Sequence, residues 1–261
     1  RKIVGVFGLR GHQQVVTLRD EISLLALGRL LSETFSSKPL ISDLSQVEFK
    51  IFSQWGDDGI IQWLVRHIDF PCEYFVEFGV QDYSESNTRF LLMNNNWSGL
   101  IMDSGRQSIG TIKAAKYYWK YDIQAKEAFV TAENINSLLA GESVPKDLGI
   151  LHIDIDGMDY WVWQAISSVT PVVAIIEYNS LWGEERSIVA PYRADFDRMK
   201  AHDSGLFGGA SLPALVDLAK EKGYGFIGCN SAGNNAYFVR NDFLSDVVRE
   251  VSLRDGFRLS K

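Results

Sequence analysis

Residues 151–161 read LHIDIDGMDYW. The first half alternates as a strand does: His152, Asp154 and Asp156 fall on one face, Ile153 and Ile155 on the other. A strand covered by helices on both faces is ordinarily a run of Val, Ile and Leu. Carboxylates in such a strand belong at its open end, where they are paired, bind a cation or cap the helix that follows. DYWVWQAI then starts a helix just past Gly157. A strand, an acidic turn and a helix form the repeating unit of a parallel α/β sheet, and the unit recurs on both sides.

Working outward, the strands expected are YFVEFGV (74–80), SGLIMD (98–103), EAFVT (127–131), LGILHID (148–154) and VVAIIEY (172–178). NTRFLLMN, IGTIKAAKYY, INSLLA and DYWVWQAI supply the helices between them. SLPALVDLAKEKG reads as a helix stopped by Gly223, and YGFIGCNSAGNNAYFVRND as a hairpin around Ser231–Asn235. Crossovers followed by a hairpin predict a Rossmann-like α/β sheet of seven strands, mostly parallel, with an antiparallel C-terminal pair. Upstream, Asp57 or Asp58 is expected to cap a helix that turns Ile61, Leu64, Val65 and Ile68 inward. A further helix in VVTLRDEISLLALGRLLSETF has a capping box at Thr17 and Asp20 and an apolar face of Ile22, Leu25, Leu27, Leu30 and Leu31. The division expected is a helical extension over 1–50 and the sheet domain over 51–261.

A chain of 261 residues suits one such domain with an appendage, and 46% hydrophobic with 23% charged residues is ordinary for a globular protein. A formal net charge of -7 disfavours a duplex nucleic-acid partner. Cys72 and Cys229 make neither a metal-spaced set nor a disulfide framework. Apolar runs such as VVAII (172–176) are too short to cross a bilayer, and RKIVGVFGLR has no leader-like apolar stretch, so the expected location is cytoplasmic. The chain opens on Arg1, which suggests a piece of a longer protein. Nothing in the sequence specifies an oligomeric state.

In open α/β sheets ligands sit beyond the carboxyl ends of the strands. Gly79 ends the first strand and permits close approach, while Glu77 can accept a hydrogen bond from an ammonium group. Asp103 ends the second strand, 26 residues after Glu77, where a carboxylate suits both hydroxyls of a ribose. A dinucleotide fingerprint would place glycines where Gln81 and Ser84 stand, and no GxxxxGK[ST] loop occurs. The ligand expected is therefore a nucleoside without a pyrophosphate, and S-adenosylmethionine fits.

The ordered blocks FSQWGDDGII, YFVEFGVQDYSESNT, LHIDIDGMDYWVW, EYNSLWGE and GASLPALVDLAKEKGYGFIGCNSAGNNAYFVRND resemble the FkbM-type and related class I S-adenosylmethionine-dependent methyltransferases of glycan and natural-product pathways. The resemblance covers roughly residues 50–242. It implies O-methyl transfer to a sugar or glycan hydroxyl. It also implies Glu77 and Gly79 against the methionine end, Asp103 on the ribose, and the Ala132–Glu133–Asn134 turn near adenine. The loop GVQDYS departs from the glycine-rich pattern of many methyltransferases.

The fourth and fifth strands end side by side in such a sheet, which brings Asp154 and Asp156 near Glu177 and Asn179. Oxygen ligands from adjacent strand ends suit Mg²⁺ or another hard divalent cation. A cation would polarise an acceptor hydroxyl, with Asp156 in the catalytic cluster and Asp159 or His202 as the base; Asp154 also borders the cofactor. The loop NSLWGEERSIVAPYRADF (179–196) is long enough to carry specificity, with Trp182 and Tyr192 as acceptor contacts and Arg186 and Arg193 to grip an anionic group. Trp55, Tyr83, Tyr160, Trp161, Trp163 and Tyr178 add aromatics near the expected mouth. Two other readings stand: a glycosyltransferase using Asp154–Ile155–Asp156 as a DxD motif, and a non-catalytic binding module that kept the fold.

Overall fold

In the computed structural model, which describes the backbone of residues 7–260 and side chains from residue 20, strands and helices alternate from residue 74 onward. The chain opens with α1 (Phe7–Ser36) and α2 (Asp57–His67). It continues β1 (Tyr74–Phe78), α3 (Arg89–Asn95), β2 (Ser98–Asp103), α4 (Arg106–Ala114), β3 (Ile123–Glu127), α5 (Ile135–Gly141), β4 (Ile150–Ile153), α6 (Asp159–Ala165) and β5 (Val173–Glu177). It closes with α7 (Arg198–Ala201), α8 (Leu212–Lys222), β6 (Tyr224–Cys229), β7 (Asn235–Arg240) and α9 (Leu253–Gly256). The seven strands form one sheet in the order β3-β2-β1-β4-β5-β7-β6. β1 to β5 are parallel, and β7 runs antiparallel between β5 and β6. The seven-stranded α/β expectation holds.

The strand order reverses between β1 and β4, which opens a crevice at their carboxyl ends. One face of the sheet packs Phe75, Ile101, Ile150 and Ile175 against α2, α3 and α4. The other packs Val76, Leu100, Leu151 and Ile153 against Leu139, Trp163 and Leu215 of α5, α6 and α8. Gly223 ends α8 in the left-handed conformation (φ 82°), which a glycine adopts without a Cβ penalty.

Three expectations need correction. The third strand is IQAKE at 123–127, not EAFVT at 127–131. It lies at the sheet edge with Gln124 and Glu127 exposed, so its apolar signal is only Ile123 and Ala125. On α1, Leu25, Leu31 and Phe35 pack on the core, while Ile22, Leu27 and Leu30 are exposed (65%, 49% and 68%). The helix already runs through residues 17–20, so Thr17 is not its cap; that side chain lies outside the described residues. Finally, Gly56 occupies the N-cap of α2. Asp58 instead accepts the backbone N–H groups of Ile51, Phe52 and Ser53 at 2.6–2.9 Å. Asp57 accepts from Asn235 Nδ2 and the Tyr237 hydroxyl, which fastens the C-terminal hairpin to α2. Leu44, Val47 and Phe49 are buried in the same core as Phe75, so packing runs unbroken across residue 50.

Candidate active site

The crevice holds a cleft of about 330 Å³ lined by the segments that follow β1, β2, β3 and β4, and by Tyr192–Phe196 from the loop after β5. Gly79 lines it at φ 78°, and a Cβ there would fall on the Asp154 carbonyl oxygen, far inside contact distance. The tight turn therefore requires glycine. Asp103 stands at the end of β2 as expected. Its Oδ2 accepts Gln81 N–H at 2.8 Å and its Oδ1 accepts Gly105 N–H at 2.7 Å. Each carboxylate oxygen can accept more than one hydrogen bond, so both retain capacity toward the cleft.

Glu77 does not meet the cleft. β1 and β4 pair Glu77 with His152, and both point under the N-terminus of α3. Glu77 accepts from Ser86 Oγ (2.5 Å), Asn87 N (3.0 Å), Thr88 N (3.1 Å), Thr88 Oγ1 (2.5 Å) and His152 Nδ1 (2.9 Å). Burial pushes its pKa up, but the His152 hydrogen bond and charge, with the two hydroxyls, bring it below the ordinary carboxylate value. Burial lowers the His152 pKa, and Glu77 more than restores it. The pair holds the strand to the helix and leaves no acceptor for a ligand's ammonium group.

The Ala132–Glu133–Asn134 turn is also displaced from its expected place. Ala128–Thr131 line the cleft instead, with Phe129 half exposed (53%). Asn134 spends its side chain on Thr131 N and Phe129 O. Glu133 accepts the Tyr192 hydroxyl at 2.5 Å, tying the loop after β5 to the turn after β3. Tyr192 and Arg193 line the cleft, while Trp182 packs on Phe207 at 6.4 Å and Arg186 is exposed away from it. Among the other aromatics, Tyr83, Trp163 and Tyr178 are buried.

The acidic group is real but differs in membership. Ligand atoms of Asp154, Asp159 and Glu177 lie within 4.8 Å of one another. Asp156 takes a left-handed turn (φ 60°) and points out to Arg198 at 2.6 Å. Asp154 and Asp156 thus diverge, and the DxD chelate of a glycosyltransferase is not formed. Asn179 caps the turn that follows it, accepting Leu181 N–H and donating to Leu206 O and Gly208 O. Asp159 is fully buried and accepts Ile155 N–H and Gly157 N–H. It braces the loop from behind and does not line the cleft, as Asp154 and Glu177 do. His202 is an exposed helix end bonded to Ser204 Oγ and is not part of the cleft lining. The base expected there is not in place.

Burial and mutual repulsion raise all three pKa values. Burial lifts Glu177 well above the ordinary range, followed by the charges of Asp154, Asp159 and Asp156. Burial raises Asp154, opposed by His152 and reinforced by Asp156. Burial and then Asp154 push Asp159 from 3.8 to about 7. The folded protein therefore binds more protons than the unfolded chain between pH 3.8 and about 7. Stability from this cluster is complete below that window and declines as pH rises through it. Glu177→Gln removes one ionisable member of this linkage. In chelator it is expected to flatten the fall of Tm between pH 5 and 8 and to raise Tm at pH 8, by roughly 2–4 °C per kcal/mol regained. An unchanged Tm–pH slope would show that the charge is not felt.

Sequence reading missed Phe129, Phe196 and Arg198, all of which line the cleft. Phe129 was hidden by the misplaced third strand; once that strand ends at Glu127, AFVT becomes its strand-end loop.

No protein-family model and no curated protein sequence matches the chain. Among solved structures, similarity is found to a CurJ carbon methyltransferase (9% identity, 90% of this chain and 72% of that one, TM-score 0.44). It is also found to an O-methyltransferase family protein from Burkholderia thailandensis (10% identity, TM-score 0.42), covering 92% of this chain but 58% of that one. A third is the N-terminal domain of EvdMO1 with SAH bound (8% identity, 64% of this chain and 72% of that one, TM-score 0.39). Overlap at this level is slight, and the fold rests on the strand order itself.

Proposed function

We propose that the chain is an S-adenosylmethionine-dependent methyltransferase acting on a hydroxyl of a sugar-like or glycan acceptor, assisted by a divalent cation. One observation carries the reading: the cleft at the strand-order reversal is closed on one side by Gly79, has the Asp103 carboxylate at the end of β2, and lies beside an acidic group. Asp103 would accept the ribose hydroxyls, Phe129 would lie against the adenine, and Gly79 would let the methionine portion approach the backbone. S-adenosylmethionine supplies an electrophilic methyl group on a sulfonium.

Asp154, Glu177 and, behind them, Asp159 form an all-oxygen donor set whose mutual repulsion a hard cation would relieve. A cation held there would supply Lewis acidity to the acceptor hydroxyl. Asp154 and Glu177, facing the cleft, would then take up the hydroxyl proton. A cytoplasmic location accords with the chemistry, and among the described residues no helix is long and apolar enough to cross a membrane.

Calorimetric titration with S-adenosylhomocysteine and, separately, with uridine diphosphate tests the cofactor: heat from the first and none from the second is expected. The reverse would return the chain to the glycosyltransferase reading, and no heat from either would favour the binding module. Chelation tests the cation. Turnover is expected to fall at least tenfold in chelator and return with Mg²⁺, Mn²⁺ or Ca²⁺, with S-adenosylhomocysteine affinity unchanged. Full turnover in chelator would reduce the acidic group to architecture.

A further inference from the structure

A second cavity, of about 170 Å³, opens between the turn at 178–181 and the loop at 205–209. It shares Asp156, Glu177 and Arg198 with the larger cleft, so Glu177 of the acidic group stands on the wall between the two. We propose that this cavity is the acceptor subsite and that it takes an amphipathic acceptor: one hydroxylated ring in the cavity, with an apolar extension across its mouth. The inference rests on the methyltransferase reading and specifies the acceptor it serves.

The walls explain the size of the group admitted. Gly157, Gly205, Gly208, Gly209 and Gly233 bring bare backbone to the cavity. A Cβ built on Gly209 meets only Asn179, at 3.8 Å, so the absent side chain leaves open space. Room for a single ring remains, well under the roughly 300–1,000 Å³ of drug-sized pockets. The inner end is polar, with Glu177 and Asn234 among its lining. A wholly apolar ligand would strip water from these groups without replacing its hydrogen bonds.

The mouth is the opposite. Leu181 and Leu206 line it while 53% and 58% exposed. Phe207 (43% exposed) adjoins Leu206, and the Met199 thioether (64% exposed) lies against Gly205. Large apolar side chains gathered in solvent at a site rim mark a surface that is covered in use. A free monosaccharide would fill the polar end and leave this rim bare. An acceptor with a hydroxylated head and an apolar tail satisfies both, and places its hydroxyl at the wall that Glu177 shares with the cofactor cleft.

The test uses the full chain saturated with S-adenosylhomocysteine. Octyl and methyl glycosides of glucose, galactose, mannose and rhamnose are compared by calorimetry below the micellar range, with octanol as a third ligand. At least one octyl glycoside is expected to bind tenfold or more tighter than its methyl partner and than octanol. The double variant Leu181→Ser with Leu206→Ser changes only exposed side chains. It should keep S-adenosylhomocysteine affinity and lose the octyl preference. No octyl preference in the wild-type protein, its survival in the double variant, or octanol binding as tightly as the glycoside would each overturn the proposal. Failure of S-adenosylhomocysteine to bind at all is a separate result, and it would remove the cofactor reading instead.

Discussion

Asp103→Ala is expected to weaken S-adenosylhomocysteine binding by on the order of 10²–10⁴-fold. Two hydrogen bonds from ribose hydroxyls to an ionised acceptor contribute about 1.5–3 kcal/mol each, and each 1.4 kcal/mol is about tenfold in Kd. The substitution also frees Gln81 N–H and Gly105 N–H, which Asp103 now holds at 2.8 and 2.7 Å. Those amides shape the turns on either side of the cleft, so preorganisation is lost with the direct contacts. Asp103→Asn keeps one carbonyl acceptor and should fall between the two. Calorimetry on both variants checks the order; wild-type affinity in Asp103→Ala would move the nucleoside elsewhere.

Glu77→Ala should act on stability and leave the ligand almost untouched. The carboxylate is 2% exposed and accepts from Ser86, Asn87, Thr88 and His152. Removing it strands these donors and a buried imidazole whose proton Glu77 stabilises. Breaking a buried charged pair from one side costs about 3–5 kcal/mol. At roughly 2–4 °C per kcal/mol for a chain of this size, Tm should drop by about 6–20 °C. Affinity of the folded fraction for S-adenosylhomocysteine, measured well below the lowered Tm, is expected to stay within about threefold, because no Glu77 atom lines the cleft. A ligand defect without a stability defect would reinstate Glu77 as a cofactor contact.

The two variants invert the roles expected from sequence for one of two strand-end acids. Both residues occupy acidic positions near strand ends, and in one dimension they look alike. Asp103 is the last residue of β2 and borders the open crevice. Glu77 lies one residue inside the end of β1, where the pleat turns it under α3. Register sets Glu77 beside Ile101, so Asp103 stands two positions further along on the same face; that distance toward the open end, and not a change of face, decides which partner each carboxylate meets.

Periodicity and turn chemistry were enough for the architecture. β2 coincides with SGLIMD, five of the other strands lie within their expected bounds or hairpin, and Gly223 stops α8 where expected. These features are local: a buried parallel strand needs a continuous apolar run, and a glycine C-cap needs only a positive φ. The edge strand β3 escaped because one exposed side removes the apolar run on which such a reading depends.

Side-chain partners were not local, and the tertiary structure alone decided them. The sequence placed Asp154, Asp156, Asp159 and Glu177 in one neighbourhood. It could not show that the left-handed turn at Asp156 sends that carboxylate to Arg198, 42 residues later, or that Asp159 folds back onto Ile155 and Gly157. The joining of Glu133 to Tyr192, and of the 205–209 glycines to the wall of a second cavity, depends on how the loop after β5 returns across the sheet. Strands and helices follow from hydrogen bonds and packing patterns repeated every few residues. A loop's course is set by a few long-range contacts that leave no such period in the chain, and in this protein those contacts choose the members of the candidate site.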